Sequence, residues 1–106
     1  MGVGSSGTDS ATRFTSGSLS AVGAAPGMYC HRDFNVSVSG TFVGTVVFER
    51  SFDGGTTYIP VAFSDGTTVS FSGPMSSTWS EPESGVMYRV RFSAYTSGSV
   101  SWRLSQ

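Results

Sequence analysis

His31 and Cys30 are the first residues to test for chemistry, because they are the only histidine and the only cysteine in the chain. A zinc site needs four such ligands converging, and no second histidine or cysteine cluster exists to complete one. As a nucleophile and base they would need a sharply bent backbone and a third group to orient the imidazole. Adjacent residues in an extended chain point to opposite sides, so the pair reads as a structural cysteine beside a surface histidine. Glu81 and Glu83 form a spaced carboxylate pair of the kind glycosidases use. They stand in a Pro-containing segment of a very small chain that can hardly wall a sugar cleft. Asp53 and Asp65 fall in Gly-containing turns, where Asp is expected for contacts to its own backbone. A calcium site would need several more oxygens. The expectation is therefore no catalytic residue, no metal site, no cofactor-binding residue and no enzymatic activity.

The other side chains with binding chemistry are aromatic or basic. Trp79, Trp102, Tyr29, Tyr58, Tyr88 and Tyr95 could form a platform for sugars or bases. Alternation assigns Tyr88 and Trp102 to a core and leaves Tyr58 and Tyr95 as the candidates for exposure. Arg50, Arg89 and Arg91 could pair with acidic groups on a neighbouring molecule, or simply be solvated. All six basic residues are arginines, net charge is −1, and only 12% of residues are charged. Capture of nucleic acid needs several phosphate-neutralising cations in one patch, so nucleic acid is not an expected partner. The same composition argues against a polybasic membrane contact, and no apolar run approaches spanning length. A surface covered by Ser, Thr and Gly tolerates close packing of copies, because few charges need desolvating.

These residues sit on a chain whose apolar positions mostly alternate between clusters of Gly, Asp, Ser and Pro. That pattern predicts an all-β fold of seven or eight short strands, arranged as a two-sheet antiparallel sandwich of jelly-roll or Ig-like topology. Residues 1–27, rich in Gly, Ser, Ala and Thr, read as an arm in which Gly17 to Val22 could add a short edge strand. Residues 28–106 read as the sandwich domain. Within it Phe34, Val36 and Val38 share a face; Val46, Phe48 and Phe52 share another, with Arg50 at its end. Asp53-Gly54-Gly55 predicts a hairpin turn into a strand over 57–63, with Ile59, Val61 and Phe63 on one side and Pro60 demanding an edge position. Val69 and Phe71 mark a short strand and Trp79 anchors another. Residues 81–85 read as a loop. The last two strands bury Tyr88, Val90, Phe92 and Ala94, then Val100, Trp102 and Leu104.

Three short patterns carry little weight. Gly2 followed by Ser6 fits an N-myristoylation pattern, cheaply met in a Gly/Ser-rich stretch. Asn35-Val36-Ser37 fits a glycosylation acceptor but reads as part of a strand. The first six residues lack the charged and apolar regions of a secretion signal. A single cysteine allows no intrachain disulfide, so the fold is not expected to depend on an oxidising compartment.

The segment Gly40-Thr41-Phe42-Val43-Gly44-Thr45-Val46-Val47-Phe48-Glu49-Arg50-Ser51-Phe52-Asp53-Gly54-Gly55 resembles one found in small β-sandwich proteins encoded among virion genes of tailed bacteriophages and prophages. The resemblance continues through Glu81-Pro82-Glu83-Ser84-Gly85-Val86-Met87-Tyr88-Arg89 and the final Arg103-Leu104-Ser105-Gln106, with Trp102 where the group often has tyrosine. It covers roughly residues 34–106. It implies an accessory virion protein, most readily one that decorates or cements the capsid shell. The implied partners are the major capsid protein or other virion subunits, with copies forming a homo-oligomer. A neck, tail or fibre component is the alternative, and a carbohydrate-binding sandwich module a further one.

Overall fold

A computed structural model describes residues 13–106. The Gly2–Ser6 pattern and the first part of the expected arm lie outside the described residues. Eight strands follow one another: β1 (Phe14–Leu19), β2 (Gly23–Ala24), β3 (Met28–Ser39), β4 (Phe42–Ser51), β5 (Ile59–Pro60), β6 (Ser70–Phe71), β7 (Met75–Gly98) and β8 (Val100–Ser105). No helix occurs among the described residues. All the strands belong to one antiparallel sheet with the order β1-β8-β3-β7-β4-β5, to which β2 adds on β7 and β6 on β4. The ladder is thus one continuous path, not two separate ones.

The two long strands bend that path. The first part of β7 pairs with β3 from Arg32↔Glu81 to Val38↔Met75, and its second part pairs with β4 from Ser51↔Met87 to Phe42↔Gly98. Between Cys30↔Val86 and Arg32↔Glu81 the register shifts, so Pro82-Glu83-Ser84-Gly85 face the single residue His31. Residues 81–85, expected as a loop, are therefore an irregular stretch inside β7. Arg32 (φ 65°) and Gly85 (φ 80°) both adopt the left-handed conformation there. Gly85 does so at no steric cost, whereas Arg32 is strained. Met28 pairs with Tyr88, and Phe34 lies six residues further along the same strand. On a flat strand those positions would be about 20 Å apart. Yet the rings of Phe34 and Tyr88 are 4.7 Å apart at their centroids. The sheet folds over at the bend, with its two ends left unpaired with each other, and its concave side holds the apolar residues.

That side is filled as the alternation predicts. Phe34, Val36 and Val38 are buried, as are Val46 and Phe48, Val86, Tyr88, Val90 and Phe92, and Val100, Trp102 and Leu104. Phe48 stacks on Tyr88 at 5.0 Å and meets Trp79 edge-on at 5.8 Å. Asn35, of the Asn-Val-Ser pattern, is a strand interior position paired with both Thr78 and Ser105.

Several expectations fail for identifiable reasons. The edge strand expected over 17–22 is present but shifted to Phe14–Leu19 on β8; after it β2 pairs with β7, and Ala25 is buried. Small residues allow this: Gly17 lies across from Trp102, and a Cβ there would come to 3.1 Å from the indole ring. Ile59 and Phe63 are about half exposed while Val61 is buried. The β4–β5 ladder lasts only two residues, so no sheet lies beneath Ile59 and Phe63 to bury them. Pro60 does lie on the last strand of the path. The link into β5 is a longer loop than a tight hairpin turn, and Phe52 at its start is exposed. Ala94 is exposed and Tyr95 turns inward onto Phe92 (5.3 Å), because the β4–β7 register slips between Thr45↔Ala94 and Val46↔Phe92. One unpaired residue, Ser93, inverts the alternation beyond it.

Gly44 is required by this slip. A Cβ there would collide with the Ala94 carbonyl oxygen and stand 2.6 Å from the Phe92 ring. Gly44→Ala is expected to destabilise the domain by about 2–3 kcal/mol, the range for overpacking a dense core. A lowered urea midpoint at unchanged slope would show it, and an unchanged midpoint would mean that the strand moves freely there.

Candidate functional site

Two internal networks hold charged side chains, one joining Glu81 to Arg50 and the other joining Glu49 to Arg89 and Arg91. Glu81 is buried, with its carboxylate at the bottom of the bend. Its Oε1 accepts from the Tyr88 hydroxyl at 2.5 Å and from the Arg50 guanidinium at 3.1 Å, and its Oε2 accepts from the Glu83 amide at 3.0 Å. Burial pushes the Glu81 carboxyl up, but the Tyr88 hydroxyl, the Glu83 amide and Arg50 outweigh it and hold it below the usual glutamate value. Tyr88 in turn is raised to about 12, by burial first and by the adjacent carboxylate second. A carboxylate held ionised under a phenol is a poor general acid. Its expected partner Glu83 is exposed, and only its backbone meets Glu81. The glycosidase geometry of two carboxyls facing one sugar is not assembled.

The second network lies on the convex side of β4 and β7. Glu49 is buried there, and its two oxygens accept from Nε of Arg89 and Nε of Arg91, each at 2.9 Å. The Arg89 guanidinium lies 3.7 Å over the Tyr58 ring, a close cation–π contact. Arg50, Arg89 and Arg91 thus pair within the chain. Tyr58 and Tyr95 are not a free aromatic platform: one lies under Arg89, the other packs on Phe92 and donates its hydroxyl to the Gly98 carbonyl at 3.1 Å. Sequence reasoning missed Glu49. The signal was present, since Glu49 stands between buried Val46 and Phe48 and Arg50 on the opposite parity, and Arg89-x-Arg91 shows the same polar parity. Only the pairing Glu49↔Arg89 brings the two rows together.

The remaining candidates are structural. Cys30 is buried, and burial pushes its thiol up to about 11. His31 follows on the other side of the strand, where the ladder breaks. The side chain of Gln106 repairs that break. Its amide oxygen accepts from the His31 N–H at 3.2 Å, and its amide nitrogen donates to the carbonyls of His31 and Asp33. Asp53 accepts from the amides of Thr56 and Thr57 and from the Ser51 hydroxyl, which nails down the loop after β4. The Thr57 amide, with Ser51 next, lowers the Asp53 carboxyl to about 2. Asp65 plays the same part through the Thr67 amide. Among the described residues no three His, Cys, Asp or Glu side chains converge as a metal site.

What stays open is a surface. On the convex side of β1, β8, β3 and the first part of β7, Ser16, Arg103, Ser37 and Ser76 line up across four strands, flanked by Ser18, Ser101 and Ser39. A shallow groove of about 410 Å³ runs over the β1, β8 and β3 residues of this face, beside Gly17 and Trp102. Ser37 and Ser76 join hydroxyls at 2.8 Å. Arg103 is exposed and covers the ring of Phe14 at 5.0 Å, so the row carries one cation among hydroxyls. Such a face can pack against another protein surface with little desolvation cost.

Compared with family models, with curated proteins and with solved structures, the chain matches none. No helix of the described residues is long and apolar enough to cross a membrane.

Proposed function

We propose that the chain is a non-enzymatic structural protein of a bacteriophage particle, one that decorates or cements the capsid shell. In this reading the folded-over sheet is a β-sandwich of jelly-roll or Ig-like type, and its partner is the major capsid protein or another virion subunit. The observation that carries the proposal is the hydroxyl-lined convex face around Ser16, Arg103, Ser37 and Ser76. This face carries Arg103 alone among hydroxyls, so it can pack against a shell subunit with few charges to desolvate. The carboxylates Glu49, Glu81, Asp53 and Asp65 support the same reading, because each is engaged in holding the fold.

The test is the copy number of the chain in purified particles, by quantitative mass spectrometry. A number comparable to the major shell protein is the expected result. A dozen copies or fewer would move the chain to the neck, tail or fibre, and its absence from particles would end the virion reading. Arg103→Glu, which places an anion in the hydroxyl row, is expected to reduce incorporation while leaving the fold intact.

A further inference from the structure

The two ends of the strand order are built differently. The β5 end is two residues long and contains Pro60. Short strands and prolines are how sheets protect an edge from pairing with another chain. The β1 end has neither device: Phe14-Thr15-Ser16-Gly17-Ser18-Leu19 is six residues of regular strand without proline, charge or bulge. Among the described residues no strand pairs with its outer side.

The direction of its backbone groups follows from the ladder. Arg13 and Gln106 exchange both hydrogen bonds, Arg13 N–H to the Gln106 carbonyl at 3.3 Å and Gln106 N–H to the Arg13 carbonyl at 3.0 Å. Doubly bonded pairs alternate along an antiparallel ladder. Thr15, Gly17 and Leu19 therefore turn their N–H and C=O groups toward β8, and Phe14, Ser16 and Ser18 turn theirs outward. The three outward residues are also those whose side chains share the convex face with Arg103 and Ser101.

We infer that β1 pairs with β1 of a second copy, antiparallel and in register about Ser16, to make a two-fold dimer with one sheet running through both subunits. The register follows from the open groups. Phe14 faces Ser18 of the second copy, Ser16 faces Ser16, and Ser18 faces Phe14, so all three outward residues become doubly bonded pairs with six backbone hydrogen bonds. A slip of one residue would place bonded groups opposite unbonded ones. It would also turn the convex face of one copy onto the concave side of the other. In the chosen register the hydroxyl rows of both copies join into one surface. The two Arg103 side chains stand three strand spacings apart at their Cα atoms, about 14 Å, beyond the screening length at physiological salt. The half-exposed ring of Phe14 gains cover from the second copy's strand. A second copy is preferred over an unrelated strand because the six-residue edge is self-complementary in number, direction and face, which a two-fold interface requires. The inference does not depend on where a particle holds the chain.

The test uses the full chain in sedimentation velocity across a range of concentrations, with three variants. Ser16→Pro removes the N–H of the central pair. That N–H points away from β8, so the β1–β8 ladder and the thermal midpoint should be kept while the dimer dissociation constant rises roughly tenfold or more. Ser16→Cys should cross-link as a dimer on mild oxidation, since a doubly bonded pair holds Cα atoms about 5.5 Å apart, and buried Cys30 gives no background. Thr15→Cys should not. Amide exchange provides a readout independent of folding: Ser16 and Ser18 should become protected with rising concentration, while Thr15 and Gly17 are protected throughout. A protein that stays monomeric at millimolar concentration overturns the inference. So does a dimer unaffected by Ser16→Pro, or one in which Thr15→Cys cross-links better than Ser16→Cys. Protection of Ser16 and Ser18 only on adding another virion subunit would assign the edge to that subunit and sink self-pairing.

Discussion

Glu81→Ala is expected to destabilise the domain by about 3 kcal/mol, lowering the thermal midpoint by roughly 10–20 °C for a chain of this size. The change removes the acceptor that the Tyr88 hydroxyl, fully buried, has among the described residues, and a lone buried hydroxyl costs about 1–3 kcal/mol. It also frees the Glu83 amide and strips Arg50 of its anion. Arg50 is two-fifths exposed, so water recovers part of that last loss. Glu81→Gln keeps an acceptor and should cost about half as much. The double variant Glu81→Leu with Tyr88→Phe removes both polar partners together and should be less damaging than the sum of the single changes. Urea unfolding of the four proteins measures the coupling, and strict additivity would mean that the hydrogen bond contributes nothing.

Glu81 and Tyr88, together with Asp53, Asp65 and Cys30 elsewhere in the fold, set the pH limits. Glu81, Asp53 and Asp65 have folded values below their ordinary ones. Their contribution is fully present above the ordinary carboxylate range and is lost as pH falls toward the lowered values, near 2 for Asp53. Tyr88 and Cys30 are raised, to about 12 and about 11. Stability linked to them is complete below about pH 9 and is lost as pH rises through those values. Stability measured from pH 2 to 12 should therefore show a plateau falling at both ends. Glu81→Gln should flatten the acid side, and an unchanged acid limb would contradict the assignment.

Glu49→Ala carries the second large expectation, a loss of about 2–3 kcal/mol. Arg89 and Arg91 lie on one face of β7 two residues apart and share this single buried carboxylate. Without it, two like charges face each other over a partly desolvated surface. Removing one partner of a buried pair costs more than removing the whole set. Arg91→Ala alone should cost less than 1 kcal/mol, since Glu49 keeps Arg89. Replacing Glu49, Arg89 and Arg91 together by methionines should return stability to within about 1 kcal/mol of the parent. High salt should narrow the gap between Glu49→Ala and the parent by screening the arginines. Equal losses for Glu49→Ala and Arg91→Ala would refute the shared role.

The aromatic and valine rows of β3, β7 and β8 were readable because a strand's two faces are set locally, residue by residue. Phe34, Val36 and Val38 needed no knowledge of their partners to be placed inside, and neither did Val100, Trp102 and Leu104. Pro60 announced a sheet edge by lacking an N–H. The faces of Ala94 and Tyr95 were misread because an unpaired residue is invisible to alternation: Ser93 looks like any polar strand residue until its partner strand is known. The edge strand expected over 17–22 lies instead at Phe14–Leu19. The small side chains there look like a tail, yet smallness is what lets Gly17 lie against Trp102.

The sequence alone determined an all-β chain, which residues turn inward over most of its strands, and a surface short of charge, because each of these depends on side chains taken in local order. Only the tertiary structure decided that eight strands form one path, that β7 serves β3 and then β4, and that Glu49 and Glu81 are buried among arginines and a tyrosine. Those facts join residues such as Glu49 and Arg89 that lie 40 positions apart. Strand pairing at that distance is chosen by the packing of the whole core, and no local period encodes it.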